Sequence, residues 1–152
     1  MKNILIAGIV LFLSACGTTS GLLNKLPEVG DNNNAGKVVV ARVKMFLGGG
    51  NGYAIALDGK NIIGIGSGEH TEFFVPVGEH TIAVRCFGGI VPMQHEDLLN
   101  FTAKATEVNY FLISANMSCA EIKESTEAEL SEHLKNSKQV DLTNMIKKES
   151  TE

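Results

Sequence analysis

The side chains of this 152-residue chain that could carry chemistry are its 4 histidines, 3 cysteines and 17 acidic residues. His70 and Glu72 lie two apart, so on a strand they share a face, with His80 following across a turn. His95-Glu96-Asp97 is a second cluster. A zinc site needs three or four converging ligands, and the chain has no H-x-x-x-H or C-x-x-C spacing. No metal and no cofactor are therefore assigned: His70 and Glu72 read as solvated, and His80 as a turn residue. Nucleophilic catalysis has no footing either, for want of a G-x-S-x-G elbow or a cysteine matched to a histidine. Gly64-Ile65-Gly66-Ser67-Gly68 looks like a phosphate loop, but no Lys and helix follow it, so it reads as a turn. Glu69, Glu72, Glu79 and Glu96 show no spacing that picks out an acid–base pair. No catalytic residue is assigned, and the chain reads as non-enzymatic.

Cys86 and Cys119 are an even pair once Cys16 is set aside. In an oxidising compartment that predicts one disulfide. It would close a loop of about 33 residues and contribute about 3–4 kcal/mol if unstrained. Alternation turns Cys86 inward, whereas Cys119 is in phase with Glu121 and Lys123, which should face out. Either the strand after Asn116 starts irregularly, or both thiols stay free and Cys86 is an inert buried one.

Cys16 belongs to a different pattern. Met1-Lys2-Asn3 leads into Ile4, Leu5, Ile6, Ile9, Val10, Leu11 and Phe12. One positive charge, an apolar run too short to span a membrane and small residues before a cysteine make an export signal. Leu13-Ser14-Ala15-Cys16 resembles a bacterial lipobox, which implies cleavage after residue 15 and lipid on Cys16. Each buried CH₂ contributes about 0.8 kcal/mol, and two or more chains hold stably where one does not. Gly17 follows, not Asp, and by resemblance to Gram-negative lipoproteins this implies the outer membrane, facing the periplasm. Removing residues 1–15 leaves 137 of the 152 and takes the formal charge from −4 to −5 by losing Lys2. That mild acidity leaves no electrostatic footprint for nucleic acid.

The elements that must position these residues read as all-β. Glycine is plentiful at 16 and separates short apolar runs, the pattern of a Greek-key sandwich of seven or eight antiparallel strands. Residues 16–36 read as the lipidated cysteine and a flexible tether. About 20 flexible residues reach roughly 25 Å, which would stand the domain off the lipid. Leu22, Leu23 and Leu26 interrupt the tether; docking on the membrane or on the domain is open to them, and a loose turn is the reading preferred. The domain is placed at 37–142 and a polar tail at 143–152. In the first strand, 38–46, Val39, Ala41, Val43 and Met45 are expected to face inward. Val38, Val40, Arg42, Lys44 and Phe46 are placed on the solvent face because of the two charges. Strands are expected at 53–57, 61–65, 70–75, 80–87, 98–105 and 108–114, with an optional edge strand at 117–123. Asp58-Gly59 predicts a hairpin and 76–79 a second turn. Thr126-Glu127-Ala128-Glu129 is a capping-box pattern opening a short helix that sets Leu130 and Leu134 one turn apart.

The run Tyr53-Ala54-Ile55-Ala56-Leu57-Asp58-Gly59-Lys60, followed by Phe73-Phe74-Val75-Pro76-Val77-Gly78-Glu79-His80-Thr81-Ile82, resembles PEGA-like domains. In that family a V-x-V-D-G-K hairpin precedes a V-P-x-G-x-H-x-I turn. The resemblance spans most of 38–140 and implies a small bacterial lipoprotein with a β-sandwich. Cys86, Cys119 and the length of loop 88–97 depart from the family pattern. The expectation is a non-enzymatic binding or scaffold module, held to the membrane through Cys16 and accessory to an envelope protein assembly. The alternative is an inhibitor or immunity-type lipoprotein that blocks an enzyme with a loop such as 88–97.

Overall fold

A computed structural model describes residues 20–46, 52–87, 96–117 and 119–143. The signal segment, Cys16, the glycine run at 48–50, residues 88–95 and the end of the tail lie outside the described residues. The chain runs β1 (Gly21–Leu22), a 3₁₀ turn (Asn32–Asn34), β2 (Ala35–Arg42), β3 (Gly52–Leu57), β4 (Lys60–Ile65) and β5 (Glu69–Pro76). It continues through β6 (Gly78–Phe87), β7 (Glu96–Ala103), β8 (Val108–Ala115), β9 (Ala120–Ser125), α1 (Glu127–Leu134) and β10 (Lys138–Gln139). Two five-stranded sheets result, ordered β1-β4-β3-β6-β7 and β10-β5-β2-β8-β9.

The all-β sandwich with a C-terminal helix is as the sequence predicts, but the strand inventory differs. β1 and β10 are two residues each, too short to leave a periodic signal. The sheets are also not wholly antiparallel, because β2 lies parallel to β8 and β10 parallel to β5. The chain changes sheet at β1/β2, β2/β3, β4/β5, β5/β6 and β7/β8, and after the last crossing β8 lies beside β2 pointing the same way.

The first strand is the main correction. Its alternation is right and its sense is inverted. Val38 and Val40 point into the inter-sheet core with Ile55, Val75, Ile82 and Ile113. Val39 and Ala41 face outward, where Leu112 and Leu130 cover them. The reason is α1, which roofs the outer face of the second sheet, so β2 is apolar on both sides. Thr126 caps that helix: its side chain accepts the Glu129 N–H while Glu129 reaches back to the Thr126 N–H. A cap of this kind contributes about 1 kcal/mol. Full burial of Leu130 adds about 1.5–3 kcal/mol.

The tether is the second correction. From residue 20 the chain is docked, not free: β1 pairs with β4, the Leu23 N–H donates to the Ile62 carbonyl at 2.8 Å, and Leu22 and Leu26 pack on the core. Leu22 and Leu26 bring apolar surface that helps hold the stretch down. β2 begins at Ala35, two residues ahead of the expected domain start. Gly36 lets β2 pass close to β7, since a Cβ there would meet the Ala103 Cβ at 2.8 Å.

Candidate functional site

The strand ends gather into two poles. At one pole β2, β4, β6 and β8 end and β3, β5, β7 and β9 begin. Here Cys86, at the end of β6, is bonded to Cys119, just before β9, with Cα atoms 6.4 Å apart. The disulfide ties the first sheet to the second. The irregular strand start that this bond requires is present: Cys119 takes φ 152, a left-handed region unusual for a residue with a Cβ. Its N–H donates to Asn116 Oδ1 at 2.8 Å, and its carbonyl accepts the Tyr53 hydroxyl at 3.0 Å.

Tyr53 stands opposite Cys86 in the sheet register. Over its ring, 3.6 Å from the centroid, lies the guanidinium of Arg42. Arg42 is only 2 % exposed, although sequence patterning places it in solvent. Its Nη1 donates to the Ile65 carbonyl at 2.9 Å, joining the second sheet to the first. Burial pulls the guanidinium below its ordinary pKa, while the nearby Tyr53 and Glu69 act the other way. Arg42 is the residue that sequence reasoning missed. Its one signal is a cation at the close of the apolar run Val38-Val39-Val40-Ala41.

The glycine turn at this pole is a turn. Its Gly66 N–H donates to Glu69 Oε2 at 2.7 Å, so the chain's own carboxylate takes the place a phosphate would need. Glu69 Oε1 also accepts the Ser20 hydroxyl at 3.1 Å, which fixes the first described residue to this pole. The Ser67 hydroxyl accepts the Met45 N–H at 2.8 Å and steers the chain leaving β2.

At the other pole the Asp58-Gly59 hairpin has φ 48 and 79, the conformation the sequence demands. Asp58 accepts the Thr81 N–H at 2.9 Å and contacts His80 Nδ1 at 2.8 Å. The other ring nitrogen of His80 lies 2.8 Å from the Pro76 carbonyl. Both ring nitrogens of His80 thus face oxygens, and the ring clasps the two turns together. Partial burial raises the Asp58 pKa, but the Thr81 N–H, His80 and Lys60 outweigh it and hold the carboxyl below its ordinary value.

The remaining sequence candidates are scattered. His70 meets the Ser137 hydroxyl at 2.7 Å, and Glu72 pairs with Lys37 at 2.8 Å, both on β5 and away from His80. Glu96 is paired with Arg85 at 3.0 Å, and Asp97 accepts the Ile122 N–H at 2.8 Å. Among the described residues no three His, Cys, Asp or Glu converge on a metal position. Tyr53 is buried in the core and Tyr110 half-buried beneath α1. β7 and β9 each lie at one edge of their sheet, opposite β1 and β10, and Asp97 bridges them near the disulfide. Towards the hairpin pole a cleft of about 360 Å³ lies against them, lined by Phe101, Thr102, Tyr110 and Ser125 among others.

No family model matches the chain, and no curated protein matches it. Among solved structures it is similar to an NMR structure of a protein from Eubacterium rectale, at a TM-score of 0.41 and 8 % identity, covering 65 % of this chain and 96 % of that one.

Proposed function

We propose that the protein is a non-enzymatic, PEGA-like lipoprotein, anchored through lipid on Cys16 and facing the periplasm from the outer membrane. There it serves as a binding module for an envelope protein. The observation that carries this reading is the stretch Leu13-Ser14-Ala15-Cys16 closing a short apolar run. The disulfide supports export, because such bonds persist in oxidising compartments. Partner binding is assigned to β7, an outer strand whose Glu96, Leu98, Asn100 and Thr102 are exposed in alternation. Outer strands take partners by strand addition or side-chain contact.

Two measurements test it in the producing bacterium. Mass analysis of the mature protein should find acyl chains on an N-terminal Cys16, and Cys16→Ala should accumulate as unprocessed precursor. A mature, membrane-bound Cys16→Ala product would overturn the anchor. A photo-crosslinker at Leu98 or Asn100 should capture one recurrent envelope protein, with none captured from Glu132 on the exposed side of α1. Equal capture at both places would remove β7 from the proposal.

A further inference from the structure

We infer that the disulfide pole is a lipid-contacting surface, with Phe46 and Met117 seated in the bilayer interface. The inference rests on the lipid-anchor reading above and goes beyond it by assigning the orientation of the domain. Its first ground is chain length. Ser20 is fixed to Glu69 at this pole, and Gly21 is paired with Gly64 in β4. From Cys16 to Ser20 is four residue steps (20 less 16). A fully extended chain gains at most about 3.6 Å per residue, so the link spans no more than about 14 Å. A lipid-bearing Cys16 therefore keeps this pole at the membrane, in place of the roughly 25 Å stand-off of a free tether.

The second ground is where the large exposed apolar side chains fall. Among the described residues the two most exposed are Phe46, at 101 %, and Met117, at 104 %. Both lie at the pole that the anchor brings down. β2 and β8 run in parallel with Arg42 opposite Ile113, and each side chain follows four residues beyond that matched pair. The two strands thus deliver one apolar residue each past the same end of the same sheet. An aromatic ring and a flexible thioether in full contact with water gain by entering an interface. The opposite pole, marked by Val77, is separated by the length of the ten-residue β6, about 30 Å, and points away from the lipid.

Tryptophan fluorescence reads this directly, because the chain contains no Trp. Phe46→Trp, Met117→Trp and Val77→Trp are made separately in the full-length protein, purified from membranes in the lipidated form. Each is reconstituted into phosphatidylethanolamine/phosphatidylglycerol vesicles with and without brominated acyl chains. The expected result is blue-shifted emission at positions 46 and 117, with most of it lost to the brominated lipid. That corresponds to a depth of about 5–10 Å below the headgroup boundary. Val77→Trp is expected to emit as in water and to be unaffected by bromine. Circular dichroism and a mass-detected Cys86–Cys119 bond certify each variant as folded, and position 117 stands in if 46 does not fold. Acyl chains found on Cys16 with no quenching at either position would overturn the inference and leave the anchor reading intact. Equal quenching at Val77 would overturn the orientation. No acyl chain on Cys16 would overturn the anchor reading and this inference together.

Discussion

The two poles of the sandwich are closed by different means. The hairpin pole is held by turn chemistry and a solvent-facing clasp: Asp58 and Gly59 turn β3 into β4, Gly78 at φ 142 turns β5 into β6, and His80 clasps one turn to the other. The disulfide pole is held by links from one sheet to the other. Arg42 reaches Ile65, Tyr53 reaches Cys119, and Cys86 is bonded 33 positions away. The first set is exposed and screened by water, and each of its bonds contributes little. The second is largely buried, where an unmade bond is costly. The pole we place against the lipid is thus the one built to keep its shape when its loops are pressed on a surface.

Arg42→Ala is the strongest way to break that contrast. It removes a buried cation, leaves the Ile65 carbonyl without its donor and opens space beside Tyr53. We expect a loss of about 3–5 kcal/mol in urea unfolding. Arg42→Met refills most of the volume and should recover part of it, leaving a deficit of about 1–2 kcal/mol for the lost hydrogen bond. A cost for Arg42→Ala below 1 kcal/mol would mean that this pole is not held by its buried cation.

The disulfide comes next. Replacing Cys86 and Cys119 together by Ala should cost about 3–4 kcal/mol, from the entropy returned to the unfolded chain by a loop of 33 residues. Thermal unfolding of oxidised and reduced wild-type protein checks the same quantity without a substitution. If the bond's effect is confined to this pole, hydrogen exchange should rise at Tyr53 and Cys119 on reduction while Thr81 keeps its protection.

The same contrast explains what could be read from the sequence. Turn chemistry is local, so Asp58-Gly59, the 76–79 turn and the Thr126 capping box are legible from their own residues. Alternation is local too, and it turns Cys86 of β6 inward as found. It fails on β2 because it reports the period and not which face is covered, and the cover comes from Leu130, some ninety positions later. Arg42 then reads as a solvent marker when it is a buried cross-link. Leu22 and Leu26 read as a loose turn because β1 is defined by its partner β4 and not by its own two residues. The Cys86–Cys119 pair was legible as a possibility. The positive φ that resolves it, at Cys119, leaves no trace in composition. The candidate lipid surface was hidden for the same reason: its two residues are brought to one pole by the parallel pairing of β2 with β8.

The smallest expected effect is at the hairpin pole and concerns pH. The Asp58 carboxyl lies below its ordinary 3.8 when folded, despite partial burial, because the Thr81 N–H, His80 and Lys60 favour the charged form. A depressed carboxylate contributes stability that is complete above its unfolded pKa and lost as pH falls through the folded value. Asp58 is half exposed, so water screens the contribution to less than about 1 kcal/mol. Glu129 and Asp141 are depressed as well, by the Ser125 and Thr143 hydroxyls first, so wild-type acid sensitivity is shared among several groups. Asp58→Asn separates them: it retains an acceptor for Thr81 and removes the charge that titrates. Urea unfolding from neutral pH to about pH 3 should show wild type and variant converging at the acid end, with wild type the more stable at neutrality. A gap at neutral pH as large as that for Arg42→Ala would show that an exposed clasp can hold a pole as firmly as a buried one.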